Sequence, residues 1–392
     1  MESAVPDEIL PPSYLQLLKV QIIHRHGPRT PLSYRLPNLY PFALPLCSSI
    51  PKNNGFDVIF NGDEKFLAKL NASSRSSFEF RPEQRCCLSG ELTDYGKTVM
   101  TSLGKYFHNI YHARLNVLSP DNIYLRSTNL NRTIESLGCV LRGFFPDDST
   151  LSQKVRIAVR DEYFEDMYGS TQCAKYKKLL DDYAEVFYRN SDQEADKLKK
   201  SLPKLFAQTN LYGQKPTIYG VYDTLAFRKA HNLSMPEGVN PTIYRSLEEF
   251  SAKEMFGIFY RFPETIKFGI GRFLREIHSN LFRDDRRLCI YSGHESTIAP
   301  LLSALFSSEN TSEPEAMFPP FGSYLAIEQY VGEDTNDRGY VRVIFNGRPL
   351  FMPACSANGM HLEGRKDICT LEAFAQAVSR HIPENYLEEC KL

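Results

Sequence analysis

The run Leu17–Ile23 (LLKVQII) passes without a spacer into His24-Arg-His-Gly-Pro-Arg-Thr-Pro31. A short, mostly apolar run rich in branched residues reads as a buried strand of a mainly parallel sheet. Gly27 permits close backbone approach, and Pro28 and Pro31 stiffen the exit. The strand must therefore end in a tight turn that holds His26 between Arg25 and Arg29. Binding sites in open α/β sheets gather beyond the carboxyl ends of the strands. Two later runs end in the same way. Asn122–Leu125 leads into Arg126-Ser-Thr-Asn-Leu-Asn-Arg132-Thr133, and Arg286–Ser292 leads into Gly293-His294-Glu295. Three strands thus deliver arginine, histidine and one carboxylate to a single sheet edge.

The rest of the pattern frames that edge. Thr93 is a good N-cap for a helix with Val99, Leu103 and Phe107 on one face. Ile134, Leu137 and Val140 mark a second helix after the second strand. From Ala174 to Gln208 the chain is charged and amphipathic, with Leu179, Tyr183 and Val186 on the apolar side. No convincing strand stands between about 165 and 280. Beyond the third strand, Ser323–Tyr330 and Tyr340–Phe345 flank the turn signal Asn336-Asp-Arg-Gly339, so an antiparallel pair is expected. The fold class expected is α/β: a three-layer, mainly parallel sheet flanked by helices, with an inserted α-helical cap. Residues 13–150 and 255–392 would form the discontinuous α/β domain and 151–254 the cap. Leu32–Leu46 reads as a packed loop.

Composition narrows the partners. The 392 residues carry 46 basic and 47 acidic side chains, a net charge of -1. This speaks against nucleic acid bound through a general basic surface. One concentrated basic pocket remains compatible with it. No apolar run reaches the roughly 18 residues of an integral membrane segment. The start, Met1–Pro12, lacks the basic and apolar regions of a secretory signal. A soluble protein is therefore expected, cytoplasmic or, as the alternative, in an organelle reached by another signal. Its nine scattered cysteines, with no C-x-x-C pair, would be free and mostly buried thiols. The glycosylation sequons at Asn71, Asn232 and Asn310 would then be chance matches.

Guanidinium forks match phosphate oxygens, and nearby cations favour the neutral imidazole with its free lone pair. The arrangement resembles the histidine acid phosphatases, a branch of the phosphoglycerate-mutase-like superfamily with an RHGxRxP signature. Arg25–Pro31 matches that signature throughout. Gly90-Glu-Leu-Thr-Asp-Tyr-Gly96, the Arg126–Thr133 segment and Pro319-Pro-Phe-Gly-Ser323 extend the likeness over residues 17–375. The resemblance implies that His26 attacks phosphorus and becomes phosphohistidine. It implies that Arg25, Arg29 and Arg132 hold the phosphate oxygens, that His294 adds a hydrogen bond, and that Glu295 protonates the leaving alcohol. Most members of the family carry His-Asp where this chain has His294-Glu295, a departure of one methylene. The function implied is a metal-independent acid phosphatase with no cofactor, acting on a small-molecule phosphomonoester at an acidic optimum. RHGPRTPL, Gly90–Asp94 and Pro216–Asp223 are similar to the lysophosphatidic acid phosphatase type. Tyr34, Tyr40 and Phe42 would line an apolar mouth, or simply pack the loop. The alternatives are a phosphomutase or sugar-bisphosphatase using the same phosphohistidine, and a catalytically silent binding protein. Oligomeric state is left open.

Four residues or segments carry a second reading. His24 and His26 could form an H-x-H metal pair, which the flanking arginines disfavour. Arg126 is either an outer phosphate contact or a structural ion-pair partner. Glu295 can also serve as a carboxylate at a helix N-terminus. Gly269-Ile-Gly271 reads as helix packing, since no strand precedes it and the lysine of a phosphate loop is missing.

Overall fold

The computed structural model describes residues 11–32, 36, 46–47, 57–61, 87–115, 119–146, 154–170, 172–209, 213–306, 318–332 and 339–392. Among these residues ten strands form one sheet: β1 (Leu15–Arg25), β2 (Asp57–Asn61), β3 (Ile123–Ser127), β4 (Arg156–Arg160), β5 (Leu288–Gly293), β6 (Tyr324–Gly332), β7 (Gly339–Phe345), β8 (Arg348–Leu350), β9 (His361–Leu362) and β10 (Arg365–Thr370). Their order is β2-β4-β3-β5-β1-β6-β7-β10-β9, with β8 on β7. The half from β2 to β1 is parallel. From β6 onward the neighbours are antiparallel. The expected antiparallel pair is β6 and β7, registered from Leu325 opposite Phe345 to Val331 opposite Gly339.

Successive residues of β1 feed two cores. Ile22 joins Leu288 and Ile290 on one face, with Phe107 of α1 (Asp94–Phe107) and Leu137 of α2 (Asn131–Phe144). Ile23 joins Tyr291 and Leu325 on the other face. That face is covered from α3 (Ala174–Ser201), α4 (Ile218–Ala230), α5 (Pro241–Phe256), α6 (Glu264–Leu281), α7 (Glu295–Phe306) and α8 (Leu371–Ser379). Burial on both faces explains the adjacent apolar residues Ile22 and Ile23, while the buried Lys19 and Gln21 reach backbone carbonyls of Asn280 and Ile277 in α6. The result is the expected three-layer α/β fold.

Two expectations change. The segment assigned to a cap from residue 151 still supplies a sheet strand, because β4 pairs with both β2 and β3. Among the described residues, helices are the regular elements from α3 to α6, with no strand between them. The cysteines are largely bonded rather than free: Cys47–Cys87, Cys173–Cys390 and Cys355–Cys369 are disulfides. Cys139 and Cys289 remain as buried thiols. Three disulfides belong to an oxidising compartment and tell against the cytoplasmic expectation. Among the described residues no helix is long and apolar enough to cross a membrane. The loop residues Tyr34, Tyr40 and Phe42 lie outside the described residues.

Candidate active site

The turn after β1 is held from below by the segment that precedes α1. Thr30 N donates to Glu91 O and Gly90 N to Pro31 O, each at 3.0 Å. Thr93 caps α1 by accepting from Gly96 N at 3.0 Å, and its hydroxyl donates to Pro28 O at 3.2 Å. Gly96 packs so closely on the turn that a Cβ there would sit 2.1 Å from Pro28 O. The Gly90–Gly96 motif is thus a cradle for the RHG turn.

His26 is fully buried at the end of β1, its backbone N–H bonded to Gly293 O at 3.0 Å. Its Nδ1 lies 2.9 Å from Gly27 O. A carbonyl only accepts, so Nδ1 carries the proton and Nε2 carries the lone pair. That Nε2 has no hydrogen-bond partner. Burial, then Arg132, Arg25 and Arg29, hold the ring well below the ordinary histidine pKa. Neutral imidazole with its lone pair available is the form a nucleophile needs.

The other expected residues surround it. Arg25 makes an ion pair with Glu295 at 2.9 Å and donates to Pro319 O at 2.5 Å. Its guanidinium lies 4.3 Å from the centre of the Phe321 ring. Arg29 is clamped by Asp223 of α4, with contacts of 2.9 and 3.4 Å. Arg132 stands in the first turn of α2. Burial, then Arg29, lowers its pKa to about 10, the sign of cations crowded together. His294 accepts or donates through Nε2 to Thr128 Oγ1 at 2.9 Å, and burial, then Arg132, lowers it to about 3. Its ring centre lies 5.5 Å from that of His26. Glu295 opens α7, so its helix-terminal role and its place in the site coexist. Glu295 Oε2 is 4.0 Å from His26 Nε2. Burial pushes this carboxyl up, but Arg25 and Arg29 outweigh it and bring it down to about 2. The carboxyl expected to hold a proton is therefore ionised in the free protein.

Arg126 is not with these residues. It binds Glu165 at 2.8 Å, Asp166 at 2.5 Å and Glu276 at 2.6 Å, and Arg160 meets the latter two carboxylates. The phosphate contact expected of Arg126 is corrected to an ion-pair hub tying β3 and β4 to α6. Removing one partner of a buried ionic cluster costs about 3–5 kcal/mol. Arg126→Met is expected to lose that much in denaturant unfolding while the folded fraction keeps wild-type KM; a raised KM with unchanged stability would restore the phosphate role. His24 is a buried strand residue with Nδ1 3.1 Å from Arg25 O. Gly269 and Gly271 lie inside α6, packed on Tyr176 and on His381 and Pro383.

Asp223 and Phe321 escaped the sequence reading as site residues. Asp223 is a lone carboxylate in a mainly apolar helix, and no local signal couples it to Arg29. Phe321 sits inside the PPFGS segment, 5.8 Å ring to ring from His26.

A neutral, buried histidine ringed by arginines beyond parallel strands is the arrangement that the RHGxRxP signature leads one to expect. The chain belongs to the histidine phosphatase superfamily, branch 2, whose family model matches residues 16–232 and 265–346. It is a phosphoric monoester hydrolase. A Dictyostelium discoideum protein named "Probable acid phosphatase" is 28% identical, the match covering 98% of this chain and 81% of that protein. Bos taurus lysosomal acid phosphatase is 25% identical over 77% of this chain and 73% of its own. The structure of a Hafnia alvei phytase with myo-inositol hexakis sulphate matches with a TM-score of 0.63 at 16% identity, covering 97% of this chain and all of that one. At that identity the likeness speaks for the fold.

Proposed function

We propose a metal-independent acid phosphatase that works through a phosphohistidine on His26, with Glu295 as the proton carrier. The observation that carries this reading is the unpartnered Nε2 of the neutral His26, set in the field of Arg25, Arg29 and Arg132. In the first step the Nε2 lone pair forms the N–P bond. The P–O bond to the alcohol breaks, and that oxygen takes a proton from Glu295. In the second step a water oxygen attacks phosphorus and the N–P pair returns to Nε2. The water's proton goes to Glu295, and inorganic phosphate leaves. The arginines stabilise charge on the transferring oxygens throughout. With Nε2 of His294 engaged by Thr128, its Nδ1 is the ring nitrogen left for a phosphate oxygen.

An incoming phosphate competes with Glu295 for Arg25. Displaced from its cation and placed beside a dianion, the carboxyl takes up a proton more readily. Among the described residues no group of three or more His, Cys, Asp or Glu side chains could hold a metal ion. The three disulfides and the lysosomal relative support a secreted or lysosomal location. The test is hydrolysis of an aryl phosphate at about pH 5, below the ester's second ionisation. Equal rates with and without EDTA are expected. Loss with EDTA and recovery with a divalent metal would reject metal independence.

A further inference from the structure

A cavity of about 310 Å³ opens directly from Arg25 and Phe321. It runs between the catalytic turn and the helical block, bounded by Tyr95 of α1, Tyr222 of α4 and Tyr244 of α5. Arg25 belongs to both places, so the cavity offers room for the alcohol half of a bound ester beside the phosphate. Its size is that of a small-molecule site.

The chemistry of its walls is selective. Aromatic faces and edges pack well on uncharged rings. Among the described residues, its charged side chains beyond Arg25 are Asp223, Lys229 and Glu248. Asp223 is committed to Arg29. The Lys229 ammonium lies 4.2 Å from the centre of the Tyr244 ring. Glu248 accepts the Tyr222 hydroxyl at 2.8 Å, which fixes the carboxylate in the wall. With Asp223 balanced by Arg29, a second phosphate in this cavity would meet the Glu248 carboxylate and one ammonium, with no further guanidinium fork beyond Arg25. A second cavity, of about 230 Å³ beside Arg132, carries the carboxylates Glu91 and Glu135. Among the described residues, neither flank of the site offers a cluster of cations for a multiply phosphorylated substrate.

We propose that this cavity receives an uncharged, ring-bearing alcohol, and that Glu248 is the specificity residue that turns away a second phosphate. This rests on the phosphatase reading above. It separates the chain functionally from the phytase whose fold it shares.

The test compares glucose 6-phosphate with glucose 1,6-bisphosphate, with 2-naphthyl phosphate as the aryl arm and a lysophosphatidate as the acyclic one. The wild type is expected to favour both ring monoesters over the bisphosphate. In Glu248→Gln the ratio of KM for bisphosphate to KM for 6-phosphate is expected to fall about tenfold, the size of one screened charge contact. Glu248→Lys, a second variant at the same half-buried position, is expected to lower it further. A wild type that prefers the bisphosphate or the lysophosphatidate overturns the proposal, and so does a ratio unmoved in both variants. A wild type that releases phosphate from none of these esters would instead sink the phosphatase reading itself, and release that survives His26→Ala would sink its phosphohistidine step.

Discussion

His26→Ala is expected to abolish turnover of every phosphomonoester and to leave no acid-labile, base-stable phosphoprotein on rapid quenching. The loss should be on the order of 10⁴-fold or more, as when the nucleophile of a covalent mechanism is removed. The reason is geometric. Nε2 of His26 is the buried lone pair turned toward the acidic and cationic groups of the site, while Nδ1 is spent on Gly27 O. Burial and the arginines keep the ring neutral far into acid, so the nucleophile is not lost where an acid phosphatase must work. Arg25, Arg29 and Arg132 would still bind phosphate in the variant, so its Kd for inorganic phosphate should change little. Added imidazole, which fits the space vacated, should restore part of the rate. A variant with wild-type turnover would show that another group attacks phosphorus.

What could be read from the sequence follows from how local the chemistry is. The turn Arg25–Pro31 is contiguous, so a strand, a sharp exit and two cations around one imidazole are all visible in a dozen residues. His294-Glu295 is legible for the same reason, at the end of an apolar run. Contacts made across the chain left no such mark. Arg29 finds Asp223 across 194 positions, and the partner sits in a helix whose pattern is that of packing. Arg126 follows a strand in the same way as the functional residues do. Only the arrival of Glu165, Asp166 and Glu276 from other elements decides that it is structural. Cys173 and Cys390 are 217 residues apart, and spacing cannot pair them. Strand β4 was missed because Arg156-Ile-Ala-Val-Arg160 is short and bracketed by arginines. Its place in the sheet comes from pairing with β2 and β3 rather than from its own pattern.

The pH dependence should belong to the substrate before it belongs to the enzyme. Glu295 has a pKa lowered to about 2 in the free protein, so above that value it is a carboxylate paired with Arg25. It therefore brings no proton to the encounter at working pH. The phosphomonoester does: below its second ionisation, about 6, it arrives as a monoanion with one proton on the phosphoryl group. Once that group has taken Arg25, the proton can pass to Glu295 and from there to the leaving oxygen. kcat/KM is then expected to fall about tenfold per pH unit above that ionisation. The limb should move with the second pKa of the ester across a series of monoesters. A limb that stays fixed while the ester changes would place the titrating group on the enzyme. Glu295→Gln cannot relay the proton. Its loss should be about 10²–10⁴-fold for alkyl esters, whose alkoxide leaves poorly, and much smaller for aryl esters, whose phenolate leaves without help. Equal losses for both classes would mean that Glu295 only positions Arg25. The same variant removes the carboxylate that competes for Arg25, so phosphate should bind it more tightly even as alkyl turnover collapses. That opposite movement of binding and rate would distinguish a proton carrier from a residue that merely shapes the site.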